Sequence, residues 1–272
     1  MNEWMEHPAF QAGVAPLVVA FIVGFALRDT RYAWLAIVAG YATVVAQTTG
    51  FTFDPLTASR KVLLLALAAP LVGIVLDATL PGRMAVAIVA IALGATSLWV
   101  FQSVFAQRSA QEVVLMGGGV AVFVTVLVAL LLRLRGDGLR TGASGVGLGL
   151  ALGIAALLSA SVGTFMTGIA IAAAAGAMML VQLARREPVV PGALGALSIA
   201  VPVGLGTGAT FMLAQLPWYA MPALLLVPAA VLLASASEGG VWRRSLVVGF
   251  TALAAAALPV LAAWIAARGG LS

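Results

Sequence analysis

The sequence predicts an all-α, polytopic membrane protein, built as a bundle of about ten transmembrane helices. Two compositional observations support this: 63% of the 272 residues are hydrophobic and only 8% are charged, and the mean hydropathy is +1.14. The third observation is that apolar runs of about 20 residues recur, which is the length an α-helix needs to cross the hydrocarbon core. A soluble domain of this size would expose far more charge.

The apolar runs follow one another along the chain and are separated by short polar connections. They cover residues 10–27, 32–49, 55–80, 84–105, 109–132, 141–159, 164–183, 189–216, 220–234 and 245–267. Asp54 before Pro55 is typical of a helix N-cap, and Ser109 with Glu112 is typical of a capping box. Because the junction between residues 159 and 164 carries no charge, counts of nine and eleven spans stay open as alternatives.

The basic residues predict the orientation of the bundle. With the N-terminus outside, the outer segments hold four basic residues: Arg60, Lys61, Arg108 and Arg268. The inner connections then hold ten: Arg28, Arg31, Arg83, Arg133, Arg135, Arg140, Arg185, Arg186, Arg243 and Arg244. Positive charge accumulates in cytoplasmic loops, so both termini are predicted to lie outside. The excess of Arg over a single Lys is typical of a GC-rich bacterial genome, and we therefore expect a bacterial inner membrane.

Several classes of function are disfavoured by what the sequence lacks. It contains no Cys and a single His, His7, so thiolate and histidine metal sites have no ligands, and we expect no metal and no cofactor. The basic residues are dispersed among apolar runs, which argues against a nucleic-acid partner. The connections are too short to hold an ATPase domain. The acidic residues form no paired motif, so we expect no enzymatic activity.

The chain divides into two halves, residues 1–137 and 138–272, within a single membrane domain. Five predicted spans precede the polar link at 133–140 and five follow it. The turn at Leu80-Pro81 has a counterpart at Leu216-Pro217, and the first two helices of each half align at an offset near 133. Because each half has an odd number of spans, the two halves must be inverted relative to each other.

Two inverted five-helix halves in fewer than 300 residues resemble the drug/metabolite transporter superfamily. The resemblance covers nearly the whole chain, and it rests on span count and spacing, with no residue motif matched. It implies a secondary transporter. Members of that superfamily usually have both termini in the cytoplasm, whereas the charge distribution here predicts both outside.

Broken helices at matching positions of inverted repeats mark substrate sites in such carriers. Pro70 and Gly73 in the third predicted helix match Pro202 and Gly204 in the eighth, 132 positions later, and Pro202–Gly208 is expected to interrupt its helix. Helix packing is the alternative explanation for these residues. The candidate substrate-binding residues are Gln47, Pro70, Gly73, Trp99, Gln102, Pro202, Gly204, Gly206, Thr207 and Thr210.

Two further features have structural interpretations. Gly145, Gly149 and Gly153 recur every four residues on one helix face, a pattern that predicts close helix packing. Asp77 is the single acidic residue within an apolar run, and intramembrane acids are candidates for function. Its position near the inner boundary, close to Arg83, favours a snorkelling or paired carboxylate instead.

Two functions compete at this point. The first is a secondary carrier of a small neutral or apolar metabolite, since the spans hold few charges to bind an ionic one. The second is a non-catalytic membrane subunit or assembly factor, since the spans hold few polar residues of any kind. The expected partners are the lipid bilayer, a small substrate, and either further copies of the chain or a membrane partner subunit.

Overall fold

The computed structural model describes residues 7–79, 82–214, 216–235 and 240–269. Within these ranges the chain is helical and contains no strand. The apolar helices are α1 (Phe10–Ala26), α2 (Leu35–Thr48), α3 (Ala58–Thr79), α4 (Arg83–Val100), α5 (Ala110–Leu134), α6 (Gly138–Leu158), α7 (Val162–Arg185), α8 (Gly192–Leu213), α9 (Ala220–Leu233) and α10 (Val241–Gly269). The predicted Leu80-Pro81 turn lies outside the described residues.

Seven helices are long and apolar enough to cross a membrane: α3 to α8 and α10. The other three, α1, α2 and α9, are apolar but shorter. The protein is therefore a multi-pass membrane protein. The sequence predicted ten spans of similar length, whereas the described residues hold seven of full length. Prolines contribute to the difference, because Pro222 and Pro228 lie within α9, which is divided at Leu225.

Two helix caps were predicted from the sequence, and one of them is present. Ser109 and Glu112 form the predicted capping box at the start of α5. Asp54 does not cap α3, which begins after Thr57, whose hydroxyl accepts a hydrogen bond from the Arg60 amide at 3.4 Å. A threonine three residues further along meets the same need for an acceptor.

The helices run between two ends of the bundle. The "basic end" holds the connections before α2, α6, α8 and α10. Its connections contact each other: Arg185 pairs with Asp29 at 2.9 Å, and Arg244 pairs with Asp137 at 3.0 Å. At the opposite end, the Lys61 ammonium donates to the Trp99 carbonyl at 3.0 Å and so joins the start of α3 to the end of α4.

α8 lies at the centre of the bundle. Nearly all of its residues are buried, and it packs against α3, α5, α6 and α7. The helix continues without interruption through Pro202 and Gly208, so the predicted break is absent. The glycines serve packing, since a Cβ on Gly204 would lie 3.3 Å from Val124 and one on Gly208 would lie 2.8 Å from Val120. Glycine at these positions lets α5 approach the α8 backbone.

The tightest helix pair is α6 with α7. A Cβ atom on Gly149 would lie 2.6 Å from the Ala172 amide nitrogen and 2.6 Å from the Gly168 carbonyl oxygen. Gly145 and Gly153 face the same helix, against Ala175 and Ile169. The three glycines therefore form a seam along which the two backbones touch, as small residues do in membrane helix pairs.

The pairing of helices follows the predicted halves only in part. In the first half α1 packs on α2 and α4 packs on α5; in the second half the equivalent helices pair in the same way, α6 with α7 and α9 with α10. The third helices of the two halves, α3 and α8, pack on each other. The extensive packing of α6 on α10 has no counterpart of similar extent between α1 and α5 among the described residues. The two predicted halves thus share the pairing of neighbouring helices, and they differ in the contact between the first and the fifth helix of each half.

The α6–α7 seam makes a direct prediction about stability. Gly149→Ala should destabilise the protein by about 1–3 kcal/mol, because the added methyl meets backbone atoms that have no room to move. The measurement is the thermal unfolding midpoint in detergent micelles. Gly249→Ala is the matched control, since a Cβ there meets nothing within 4 Å. Equal unfolding midpoints for the two variants would contradict the close contact of the α6 and α7 backbones at Gly149.

Candidate functional site

Helices α2, α3, α7 and α8 line a cavity at one end of the bundle, and α3, α8, the end of α7 and the α1–α2 connection line another at the basic end. α3 and α8 run antiparallel: Asp77 of α3 meets Ala193 of α8 at the basic end, and Val62 and Ala209 line one cavity at the opposite end. Gly73 permits close contact between them, since a Cβ there would lie 2.5 Å from the Leu194 Cα atom. The two cavities therefore lie on one axis, separated by the packed middle of the same four helices.

The cavity at the opposite end, here called the hydroxyl cavity, has a volume of about 240 Å³. Seven of its lining residues carry hydroxyl groups, and none of the described lining residues is charged. The hydroxyl-bearing residues are Tyr41, Thr48, Thr49, Ser59, Ser161, Thr164 and Thr167. Valines, Leu63, Gly163, Gly206 and Ala209 complete the lining. Such a surface can form hydrogen bonds with a neutral solute and offers no countercharge to an ion.

Tyr41 is the least satisfied of these residues. It is 2% exposed, and its hydroxyl has no hydrogen-bond partner among the described residues. The neighbouring hydroxyls have partners: Thr48 donates to the Val44 carbonyl at 2.8 Å, and Ser161 lies 3.0 Å from Thr164. A buried hydroxyl without a partner costs about 1–3 kcal/mol, so Tyr41 marks a place where a hydrogen bond is still to be made.

The second cavity, here called the basic-end cavity, has a volume of about 550 Å³. Charged side chains dominate its rim: Arg28, Asp29, Arg31, Arg185 and Asp77. Arg185 is paired with Asp29 and also donates to the Arg28 carbonyl. These contacts tie the α1–α2 connection to the end of α7.

Asp77 caps α8 from a different helix. Its carboxylate accepts from the Ala193 amide at 2.8 Å and the Leu194 amide at 3.4 Å. The first amides of a helix carry partial positive charge and lack partners within the helix, so a carboxylate there is stabilising. Gly192 makes the contact possible, because its φ of +62° suits glycine and any Cβ would collide with the carboxylate. Asp77 pairs with a helix end, and not with Arg83 as its position in the sequence suggested.

The segment that leads into α8 is held by three further contacts. The Gln182 amide oxygen accepts from the Val189 amide at 3.1 Å, and the Trp34 indole donates to the Val189 carbonyl at 3.2 Å. The Gly192 amide donates to the Arg135 carbonyl at 3.0 Å. Polar groups at membrane depth must find protein partners, and these contacts supply them.

The sequence-predicted site residues are divided between three environments. Gly206 lines the hydroxyl cavity. Pro70, Gly73, Pro202 and Gly204 lie in the packed layer between the cavities, within continuous helices. The Thr207 and Thr210 hydroxyls donate to carbonyls one turn earlier in α8, at 2.7 and 2.9 Å. The exposed side chains Gln47, Trp99 and Gln102 line neither cavity.

Sequence reasoning missed Tyr41 and Lys61. Tyr41 lies in the middle of an apolar run, and this position was the available signal. Lys61 was expected at the membrane interface, yet it is 5% exposed. Its ammonium lies 4.6 Å from the centre of the Trp99 ring and donates to the Trp99 carbonyl. A cation can be buried against a ring face and a helix C-terminus without a carboxylate.

Comparisons with protein-family models, with curated proteins and with solved structures find no match to this chain. The assignment of function therefore rests on the geometry of the two cavities and on the chemistry of the residues that line them.

The cap on α8 can be tested by substitution. Asp77→Ala should lower stability by about 1–2 kcal/mol, because two α8 amides lose their acceptor, and Asp77→Asn should cost less because an amide oxygen can still accept. Thermal unfolding in micelles measures both. Asp29→Ala removes a carboxylate that is 68% exposed and should cost less than Asp77→Ala. A larger loss for Asp29→Ala would show that the surface network, and not the cap, holds this end together.

Proposed function

We propose that this protein is a secondary carrier, not an enzyme, and that it moves a small uncharged solute across a bacterial inner membrane. The observation that carries the proposal is the pair of cavities at opposite ends of the packed α3–α8 pair. Alternating access requires a site that can be reached from either side in turn, with a closed layer between the two entrances. The packed middle of α2, α3, α7 and α8 supplies that layer.

The predicted inverted repeat relates the two cavities to each other, which supports the proposal. Residues that line one cavity lie 132 or 133 positions from residues that line the other. The pairs are Arg28 and Ser161, Thr30 and Gly163, Arg31 and Thr164, Ser59 and Gly192, Val62 and Leu194, Ile74 and Gly206, and Asp77 and Ala209. An inverted repeat exchanges the two faces of the membrane, so equivalent residues belong at opposite ends. This relation supports the proposal that residues 1–137 and 138–272 form two inverted five-helix halves, and the distribution of basic residues supports both termini outside.

The chemistry of the hydroxyl cavity defines the class of solute. Its hydroxyls can donate and accept hydrogen bonds, whereas an ion would be desolvated there without compensation. The valines and Leu63 between them favour short apolar segments. We therefore assign a small neutral solute that carries hydroxyl or carbonyl oxygens, of a size that fits about 240 Å³.

The α3–α8 contact at the basic end acts as the inner gate in this mechanism. Opening this end requires Asp77 to leave the amides of Ala193 and Leu194, which is a step with a cost of its own. The carrier then alternates between two states. In one the α3–α8 contact is closed and the hydroxyl cavity is open, and in the other the contact is open and the walls of the hydroxyl cavity are closed. Weakening the cap by about 1 kcal/mol should shift the two populations about fivefold.

Single cysteines can report this exchange without knowledge of the solute, since the chain has none. Thr164→Cys reports the hydroxyl cavity and Ile74→Cys reports the basic-end cavity. Adding Asp77→Asn should raise the rate of maleimide labelling at Ile74→Cys and lower it at Thr164→Cys, each by about two- to fivefold.

The control is Ser103→Cys, in the exposed connection after α4, whose rate should not change. If the labelling rate rises at Ile74→Cys and does not change at Thr164→Cys, the two cavities are independent clefts. That result would contradict the carrier proposal. That outcome fits the alternative, a non-catalytic subunit whose four central helices keep one arrangement.

Tyr41→Phe should separate stability from transport. Removing a buried hydroxyl without a partner should leave thermal stability unchanged or raise it, whereas uptake of the solute should fall about tenfold because a charge-free hydrogen bond to the solute is lost. The measurement is proteoliposome swelling with a series of short polyols and small amides.

Ser144→Ala is the matched control for Tyr41→Phe. Ser144 is also buried with an unpartnered hydroxyl, but it lines neither cavity. Its uptake should equal that of the unmodified protein. If Tyr41→Phe took up the solute as fast as the unmodified protein, Tyr41 would not bind the solute.

A further inference from the structure

A third cavity, independent of the two described above, lies between α4 and α5 at the basic end. Its volume is about 770 Å³. Its lining residues are Arg83, Val86 and Ala87 of α4, Ala129, Leu132 and Arg133 of α5, and Arg135 and Gly136 beyond α5. The lining therefore combines three arginines at the rim with an apolar wall of two membrane helices.

The shape of this cleft follows from the packing of α4 on α5. A Cβ atom on Gly94 would lie 2.6 Å from the Ala121 carbonyl oxygen, so the two backbones touch near the middle of the membrane. Toward the basic end the side chains of Val86 and Ala129 line open space between the helices. The cleft is closed at the depth of Gly94 and open at the level of the arginines.

Charge distinguishes this cleft from the rest of the basic end. Arg28 and Arg185 contact Asp29, and Arg140 and Arg244 contact Asp137. No carboxylate lies among the described residues that line the cleft, and the described ion pairs include neither Arg83 nor Arg133. Positive charge therefore lies at the rim of an apolar cleft whose described lining residues include no carboxylate.

We propose that this cleft binds an anionic phospholipid, with the lipid phosphate between Arg83 and Arg133 and an acyl chain against Val86, Ala87, Ala129 and Leu132. The arginines match the charge of the phosphate, and the apolar wall matches the chain below it. Basic pockets between transmembrane helices on the cytoplasmic side are known to hold anionic head groups. The predicted orientation places this end in the cytoplasm, and the site does not depend on the carrier function.

The test is native mass spectrometry of the delipidated full-length protein, titrated with phosphatidylglycerol and with phosphatidylcholine of the same acyl chains. Phosphatidylglycerol should bind at least tenfold more tightly. Arg83→Gln with Arg133→Gln should abolish most of that preference, because each arginine near the membrane surface contributes about fivefold. Ala129→Phe should weaken the binding of both lipids, because it fills the apolar wall while the arginines stay in place.

The control is Arg60→Gln with Arg108→Gln, which removes the same net charge from the opposite end of the bundle. This variant should keep the preference for phosphatidylglycerol. Unchanged elution volume and thermal midpoint establish that each variant is folded. The proposal is overturned if the unmodified protein does not discriminate between the lipids, if the control loses as much preference as the Arg83 and Arg133 variant, or if soluble glycerol phosphate displaces the lipid at equal concentration.

Discussion

The carboxylate of Asp77 holds the N-terminus of α8 against α3, and the architecture of the centre depends on this contact. The first amides of a helix have no partner within the helix, so they need an acceptor from elsewhere. Asp77 supplies one from 116 residues earlier in the chain. Gly73 and Gly192 clear the space for the two backbones to meet. The same contact fixes the antiparallel alignment of α3 and α8, and through it the position of both cavities.

The two cavities have different chemistry although both lie along α3 and α8. One is lined with hydroxyls and the other with arginines and aspartates. The difference fits the two sides of a carrier, in which one end selects the solute and the other is held shut by charged contacts. The ionic residues serve to join helix ends and connections, where partial charges and neighbouring loops balance them, whereas none of the described residues that line the hydroxyl cavity is charged.

Much of the fold was predictable because membrane helices are local in their chemistry. Apolar runs and the Ser109–Glu112 capping box identify helices from neighbouring residues alone. The predicted break at Pro202 was wrong: α8 is continuous, and its glycines make room for Val120 and Val124 of another helix, which no local pattern reveals. Gly206, one of the candidate residues chosen from the sequence, does line a cavity. Tyr41 was missed because a hydroxyl without a hydrogen-bond partner can be recognised only once its surroundings are known. The pairing of Asp77 with α8 and of Trp34 with Val189 joins distant segments that no local pattern connects.

The central claim is that the two ends of the α2, α3, α7 and α8 group open in alternation. Pulsed electron paramagnetic resonance on the protein in lipid bilayers measures this directly, with spin-label pairs at Thr49 and Ser161 for the hydroxyl cavity and at Thr30 and Val190 for the basic-end cavity. Two distances are predicted at each end, and a transported solute should shift their populations in opposite directions at the two ends. A single distance at both ends, unchanged by any solute that enters proteoliposomes, would contradict the account.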